Sequence, residues 1–266
     1  MDWDLWLDIW SRHARTDRYK RQLDRAVAFA RAGGEEMRMY CSNSGGKDSV
    51  AMCSVLHDAG ARVKMAHAHT ELNTPGMLEC AERTAEIFGC EIDIVEPDLD
   101  EHETIWDFLM AMPRAESVMS PKGYGRFAKR VAAGNMLVAY GYASGYRGTF
   151  CGMRAGESRG RLINRMVRGS LYQSTVDNTW MCLPIVDWSA RDVFATAVAR
   201  GLPICDHYRL LHERFGVDPE SPASRVDCLL TGDGIAALGS LAHVRALYPA
   251  IWSRLRHVRP EVSQYA

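Results

Sequence analysis

Six consecutive residues, Ser44-Gly45-Gly46-Lys47-Asp48-Ser49, bring together twin glycines, a lysine, a carboxylate and two hydroxyls. Paired glycines let a backbone approach oxygen atoms closely and reach torsions that other residues avoid. Ahead of them, Met37 to Ser42 reads as a short apolar strand; behind them, Val50, Ala51, Cys53, Val55 and Leu56 follow a helical pattern. A strand, a glycine turn and a helix start aim free amides and a positive dipole end at one point, which suits phosphate. Lys47 adds a point charge, Ser44 and Ser49 add hydroxyl donors, and Ser42 sits at the strand's end beside them. Spacing excludes two commoner nucleotide loops. A Walker-type loop needs glycine where Cys41 stands and Ser or Thr where Asp48 stands. The dinucleotide pattern G-x-G-x-x-G is missing from this stretch. The competing reading is a glycine turn capping an ordinary helix through Asp48 or Ser49. Six matching positions at a predicted strand–helix junction favour a nucleotide loop.

A second constellation follows Thr149-Phe150-Cys151, a short buried strand by composition. It starts at Gly152 and carries Arg154, Arg159, Arg161, Arg165 and Arg168, with Glu157 the single acid among them. Arginine forks match phosphate oxygens in pairs, so the run predicts an anionic ligand. A solvated basic loop is the usual fate of such a run. Its place just after a strand's carboxyl end, on the edge that also carries the glycine loop, argues for function.

These residues need elements to hold them. Residues 2–32 read as helix, with Trp3, Trp6, Leu7 and Trp10 on one stripe that suits core packing or, as the minority reading, a homodimer contact. Residues 62–68 form a second strand, which makes a βαβ unit and a parallel sheet whose ligand edge lies at the strand carboxyl ends. His69 and Thr70 leave that strand at the ligand edge, where a nucleotide base or second substrate rests. His67, His69 and Glu71 alternate as a metal trio would, although chance alternation is the better account. A helix over 75–88 has Thr74 as cap and Pro75 in its first turn. Residues 91–96 and 180–185 are further strands, 98–103 an acidic turn, 104–124 an irregular excursion over the active edge, and 127–141 helix. Ser189 caps the next helix. From 203 onward short helices and loops end in a helix near 240–257, and Gly232 to Ala237 reads as a turn rather than a dinucleotide fingerprint. The expected organisation is a helical segment over 1–36, a nucleotide-binding α/β domain over 37–200 and a helical region over 201–266.

Composition narrows the classes. At 266 residues and 47% hydrophobic, the chain can bury a full core. A net charge of −1 argues against a generally basic nucleic-acid coat protein, while leaving a local basic site open. The eight cysteines form no C-x-x-C pair, so zinc ribbons and thioredoxin-like motifs are not expected. The acidic start and the lack of a spanning run predict no membrane partner and a cytoplasmic setting with reduced thiols.

Three motifs now stand in order: Ser44 to Ser49, then Gly152-Met153-Arg154-Ala155-Gly156-Glu157-Ser158-Arg159-x-Arg161, then Pro184-Ile185-Val186-Asp187-Trp188 with Asp192-Val193. Together they resemble the phosphoadenosine-phosphosulfate (PAPS) reductase-like branch of the PP-loop ATP pyrophosphatase superfamily, over roughly residues 37–230. The agreement is weaker at His69–Pro75, where that branch has an Asp-Thr-Gly-type turn. The resemblance implies a Rossmann-like (HUP-type) parallel α/β sheet flanked by helices, with a smaller, mostly helical C-terminal region. It implies an adenine nucleotide held by Ser42, Ser44, Gly45, Gly46, Lys47, Asp48, Ser49, His69, Thr70, Gly152 and Arg154. Lys47, Asp48, Arg154, Glu157 and Arg161 are the catalytic candidates, with Mg²⁺ near Asp48. The expected reaction cuts ATP to AMP and pyrophosphate and activates a second substrate, such as a nucleobase or another anionic or nucleotide compound.

Departures from the pattern matter too. The reductases end in a catalytic Glu-Cys-Gly-type tail, whereas this sequence ends in Ser263-Gln264-Tyr265-Ala266. Paired cluster cysteines are missing, so no iron–sulfur cluster is expected. True reductases tend to have degenerate loops, and this one is intact. Two alternatives stand. One is a sulfonucleotide reductase or sulfur-transfer enzyme using a scattered thiol, with Cys228 foremost. The other is a nucleic-acid-binding or modifying protein whose arginines and Arg254–Arg259 track a backbone.

Overall fold

The computed structural model describes residues 2–34, 38–113, 129–226 and 240–266, with positions 125, 127 and 229. Two helices, α1 (Trp3–His13) and α2 (Asp17–Gly34), stand where the apolar period predicts one over 2–32. Thr16 makes the break: its Oγ1 donates to the His13 carbonyl at 2.8 Å and accepts from the Tyr19 amide at 3.2 Å. A threonine that bonds locally in this way ends one helix and caps the next.

The chain continues through β1 (Met39–Ser42), α3 (Lys47–Asp58), β2 (Met65–Ala68), α4 (Met77–Phe88), β3 (Ile92–Val95), α5 (Ile105–Ala111) and α6 (Ala133–Ala143). Then come β4 (Gly148–Cys151), α7 (Arg159–Arg168), β5 (Leu171–Gln173), β6 (Trp180–Cys182), α8 (Ala190–Ala199), α9 (Asp206–Phe215), α10 (Ser240–Leu247) and α11 (Pro249–Val258). The strands make one sheet in the order β3-β2-β1-β4-β6-β5. β1 runs parallel to β2 and β4, β4 runs parallel to β6, and β5 lies antiparallel to β6. This is the α/β, Rossmann-like class that the motifs predict. The chain leaves β1 toward β2 and β3 and returns to its other side at β4. The topological switch point therefore lies between the carboxyl ends of β1 and β4, where such sheets bind ligands.

Two compact units share the chain. The first comprises residues 1–67, 75–94 and 137–226. Cys41, Met52, Val55, Phe150, Ile185 and Trp188 lie in one of its cores. A neighbouring cluster holds Trp6, Trp10, Phe194 and Tyr208, with Trp10 stacked on Phe194 at 4.2 Å between centroids. Trp6 and Trp10 of the N-terminal stripe are thus packed inside this unit. The second unit comprises residues 68–74, 95–136 and 227–266, and its core includes Leu72, Trp106, Leu109, Leu241, Trp252 and Leu255.

Several local expectations are corrected. Residues 105–111, expected to be irregular, form α5, because Thr104 Oγ1 caps it by accepting from the Asp107 amide at 3.2 Å. The helix expected from Pro75 begins at Met77, with Gly76 at φ +89° as its cap in place of Thr74. Its left-handed torsion is one that glycine reaches without strain. β5 was not anticipated, and the last helix divides at Tyr248 because Pro249 starts a new one. Residues 114–124, Cys228 and the Gly232–Ala237 turn lie outside the described residues.

Candidate nucleotide site at the sheet switch point

The glycine loop leaves β1 at Ser42 and enters α3 at Lys47. Two positions demand glycine. Gly45 has φ +73°, and a Cβ there would lie 1.8 Å from the Met77 carbonyl oxygen. At Gly152 a Cβ would lie 2.8 Å from the Asp48 carbonyl carbon and oxygen and 2.9 Å from the Ser49 nitrogen. The second contact shows how closely the end of β4 is pressed onto the first turn of α3. The two motifs found separately in the sequence are one structure.

The loop is braced from within. Asn43, fully buried, accepts from the Gly45 amide at 3.0 Å and donates to the Ala81 carbonyl at 3.2 Å. The Gly46 amide donates to Ser44 Oγ at 3.4 Å, and the Ser44 and Ser49 hydroxyls bond at 2.8 Å. The Lys47 amide donates to Tyr208 Oη at 3.2 Å. Burial, with the Asp48 charge behind it, pushes the Tyr208 phenol well above its ordinary range, so it stays neutral. Three of the loop amides expected to face a phosphate are thus engaged internally. Asn43 and Tyr208 were missed. Asn43 adjoins the motif and was legible as a polar residue closing a buried strand; Tyr208, far away on α9, gave no signal.

Charge converges on Asp48. Lys47 Nζ lies 3.2 Å from its Oδ2, and Arg154 Nε bonds its Oδ1. Burial alone would raise the Asp48 carboxyl, but these two cations outweigh it and hold the group below the usual carboxylate range. The Lys47 ammonium also faces the rings of Tyr208 and Phe194, 5.1 and 5.8 Å from their centroids. Arg154 is buried, and its amide donates to Glu157 Oε2 at 2.9 Å. Glu157 in turn bonds the guanidinium of Arg161. Lys47, Asp48, Arg154, Glu157 and Arg161 therefore form one network. Ser42 closes β1 within the same unit, paired in register with Ala66 and Cys151.

Lys47, Arg154 and Glu157 open onto a hollow of about 230 Å³ whose wall also includes Trp188, Glu220 and Arg225. Glu220 is held by Arg191 at 2.9 and 3.1 Å and by the Trp10 indole at 2.9 Å. A larger hollow of about 620 Å³, lined by Cys53, His57, Phe88 and Cys90, lies at the amino-terminal ends of β2 and β3, the edge opposite the loop.

The remaining predicted residues are placed differently. His69 and Thr70 belong to the second unit, where Thr70 Oγ1 accepts from the Leu72 amide at 3.2 Å and Asn73 Nδ2 donates to the Ala68 carbonyl at 2.9 Å. Glu71, also there, accepts from the Trp106 indole and from Arg254 at 3.0 Å. His67 Nδ1 meets the Asn43 carbonyl at 2.9 Å. Among the described residues, no group of three or more His, Cys, Asp or Glu side chains converges as a metal site. No helix among them is long and apolar enough to cross a membrane. Of the cysteines, Cys151 stands next to Gly152, and burial pushes its thiol up despite Arg161 nearby.

Residues 38–221 match the family model for the phosphoadenosine phosphosulfate reductase domain. The chain belongs to that family. Its fold is similar to that of PAPS reductase from Candida auris, solved as a phosphate complex, with TM-score 0.55 and 13% identity over 70% of this chain and 84% of that one. It is similar to the U34-tRNA thiolase NcsA from Methanococcus maripaludis with its [4Fe-4S] cluster, with TM-score 0.51 and 13% identity over 93% and 81%. It is also similar to NMN synthetase from Francisella tularensis, with TM-score 0.50 and 16% identity over 91% and 95%. None of the curated proteins matches the sequence.

Proposed function

We propose that this PAPS reductase-like protein is an enzyme that binds ATP at the Ser44–Ser49 loop and cleaves it to AMP and pyrophosphate, activating a second substrate. One observation carries the reading: Lys47 and Arg154, supplied by the loops after β1 and β4, converge on one anionic position at the switch point. Here Asp48 occupies that position, and a phosphate can compete for both cations. The names of the synthetase and thiolase neighbours are in keeping with such chemistry.

The chemistry asks mostly for positioning and charge neutralisation. Lys47 and the first-turn amides of α3 hold the leaving pyrophosphate. Arg154 neutralises charge growing at the α-phosphate. Glu157, fixed by Arg161 and the Arg154 amide, is the acid–base candidate facing the hollow of about 230 Å³, which receives the second substrate. The residues fit Mg²⁺, which takes one or two carboxylates plus phosphate oxygens and water rather than a full protein cage; Asp48 is the carboxylate. When bound, the ion neutralises phosphate charge. The test is incubation with α-labelled ATP and candidate acceptors. AMP should appear and should be lost in Lys47→Ala; no AMP-forming turnover with any acceptor, or turnover unaltered in that variant, refutes the reading.

The family match favours one second reading, reduction of a sulfonucleotide. Its weakness is the nucleophile, since the thiol beside the loop, Cys151, is shifted toward its inert form. Sulfite release from PAPS with a thiol reductant would establish it. Backbone tracking of a polynucleotide by Arg254–Arg259 has less support. Arg254 is paired with Glu71 and stacked over Trp106, and Arg259 is buried against the Leu109 and Met112 carbonyls.

A further inference from the structure

The lysine of the glycine loop stands at the end of a chain of contacts that starts in α1, ahead of the residues 38–221 that match the family model. Trp10 is fully buried, and its indole lies flat on the Phe194 ring, with centroids 4.2 Å apart and planes 9° from parallel. Phe194 and Tyr208 meet edge to face at 5.4 Å, and the Lys47 ammonium faces both rings. The indole itself is pinned. Its Nε1 donates to Glu220 Oε1 at 2.9 Å, and Arg191 fixes that carboxylate through two further bonds. Glu220 and Lys47 line the same hollow of about 230 Å³. Two more contacts fasten the N-terminal helices to α8, which carries Phe194: His13 Nε2 lies 2.7 Å from Asp192 Oδ1, and Tyr19 Oη bonds Thr196 Oγ1 at 2.9 Å.

We propose, on the reading of Ser44–Ser49 as an ATP loop, that Trp10 is a positioning residue for Lys47, acting through Phe194, and that α1 thereby forms part of the nucleotide site. Lysine is a point charge on a flexible stem, so its place depends on what holds the ammonium. Asp48 holds it from one side, and Asp48 is the group that a phosphate has to replace. Once that carboxylate is displaced, the aromatic faces keep the ammonium in place. A ring attracts a cation through its quadrupole and leaves the charge available to a phosphate. The hold works only while the ring keeps its angle. The terminal torsion of a phenylalanine is soft, so its own bonding does not fix it. The flat indole packed against Phe194 does, and the bond from Nε1 to Glu220 stops the indole from turning in its own plane.

Calorimetric titration with ATP and trace acetylation with acetic anhydride, read by mass spectrometry, test this on the full chain. Acetylation at Lys47 is measured against the exposed Lys20. Trp10→Leu should weaken ATP binding about tenfold, the measure of one desolvated cation–π contact, and raise Lys47 labelling by a similar factor. Trp10→Phe keeps a ring on Phe194 and should rescue both to within about threefold of wild type. Trp6→Leu, one turn earlier on the same buried stripe, should lower the melting temperature and leave both readouts in place. Phe194→Leu removes the ring between Trp10 and Lys47; it should repeat the two changes, and it decides the question where Trp10→Leu does not fold. Lys47 labelling that is unaltered in these variants, or that rises as much in Trp6→Leu, overturns the proposal. A wild type that does not bind ATP refutes the nucleotide reading, while the labelling still decides the positioning.

Discussion

Gly152→Ala adds one methyl group at the seam between the two halves of the site. The Cβ of alanine would stand 2.8 Å from the Asp48 carbonyl carbon and oxygen and 2.9 Å from the Ser49 nitrogen. All three are backbone atoms of the first turn of α3, so no side chain can rotate away. Either β4 or the start of α3 must move by several tenths of an ångström. Overpacking of this kind costs about 1–3 kcal/mol. At roughly 3 °C per kcal/mol, that lowers the melting temperature by about 3–9 °C. Function should suffer more than stability, because the displaced turn carries Asp48 and the first-turn amides proposed to hold a phosphate, while Arg154 stays with β4. Gly156→Ala is the control, four residues away in the same loop, where a Cβ meets nothing within 4 Å. Calorimetric titration with ATP and thermal melting measure both effects. ATP affinity should fall at least tenfold in Gly152→Ala and stay within twofold of wild type in Gly156→Ala. If the two variants bind ATP equally well, the contact between the loops does not organise the site.

Three further outcomes follow from the network around Asp48. Arg154→Ala leaves that carboxylate with Lys47 alone, in a position only 18% exposed, and should cost about 3 kcal/mol in a melting experiment while weakening ATP binding. The Asp48 carboxyl is depressed in the folded state, so its ion pairs contribute fully above the ordinary carboxylate pKa, about 3.9, and fade as pH falls through the lower folded value. The melting advantage of wild type over Asp48→Asn should accordingly be constant at neutral pH and shrink below about pH 4, with parallel curves refuting the pairing. Tyr208→Phe removes the acceptor of the Lys47 amide and should cost about 1 kcal/mol. Because a phosphate can take that amide in its place, ATP affinity should stay within threefold, and a collapse in affinity would make Tyr208 part of the binding surface.

What the sequence made legible was what short-range chemistry determines. The strand–glycine–helix unit at Met39–Asp58 could be read because its signals are adjacent in the chain. Gly152 and Arg154 could be assigned to the same edge because a parallel sheet places successive strand ends together. Helix α5 was missed because the prolines at 113 and 121 pointed to an irregular path over 104–124, whereas Thr104, at the start of that stretch, caps the helix by accepting from the Asp107 amide. Tyr208 and the inward Trp10 were illegible as partners of Lys47 and Phe194, since those contacts join residues more than a hundred positions apart and no periodicity encodes them.

The arginine run shows the same limit from the other side. Counted along the chain, five arginines and one acid form an anion-binding patch. Counted in space, Arg161 is matched by Glu157, Arg165 by Asp187 and Arg154 by Asp48, so three of the five charges are paired. In a site built this way Lys47 and Arg154 already share the Asp48 carboxylate before a ligand arrives, and an incoming phosphate must replace that carboxylate rather than fill an empty positive well. Replacement makes binding depend on geometry more than on net charge. It follows that salt should weaken ATP binding far less than it weakens binding to an exposed arginine cluster, where screening acts on unpaired charges. Titrating ATP at about 0.05 and 0.5 M salt, where the screening length falls severalfold, separates the two cases. A loss of affinity of less than fivefold fits replacement at Asp48, and a steep loss means the arginines act as a free cationic surface.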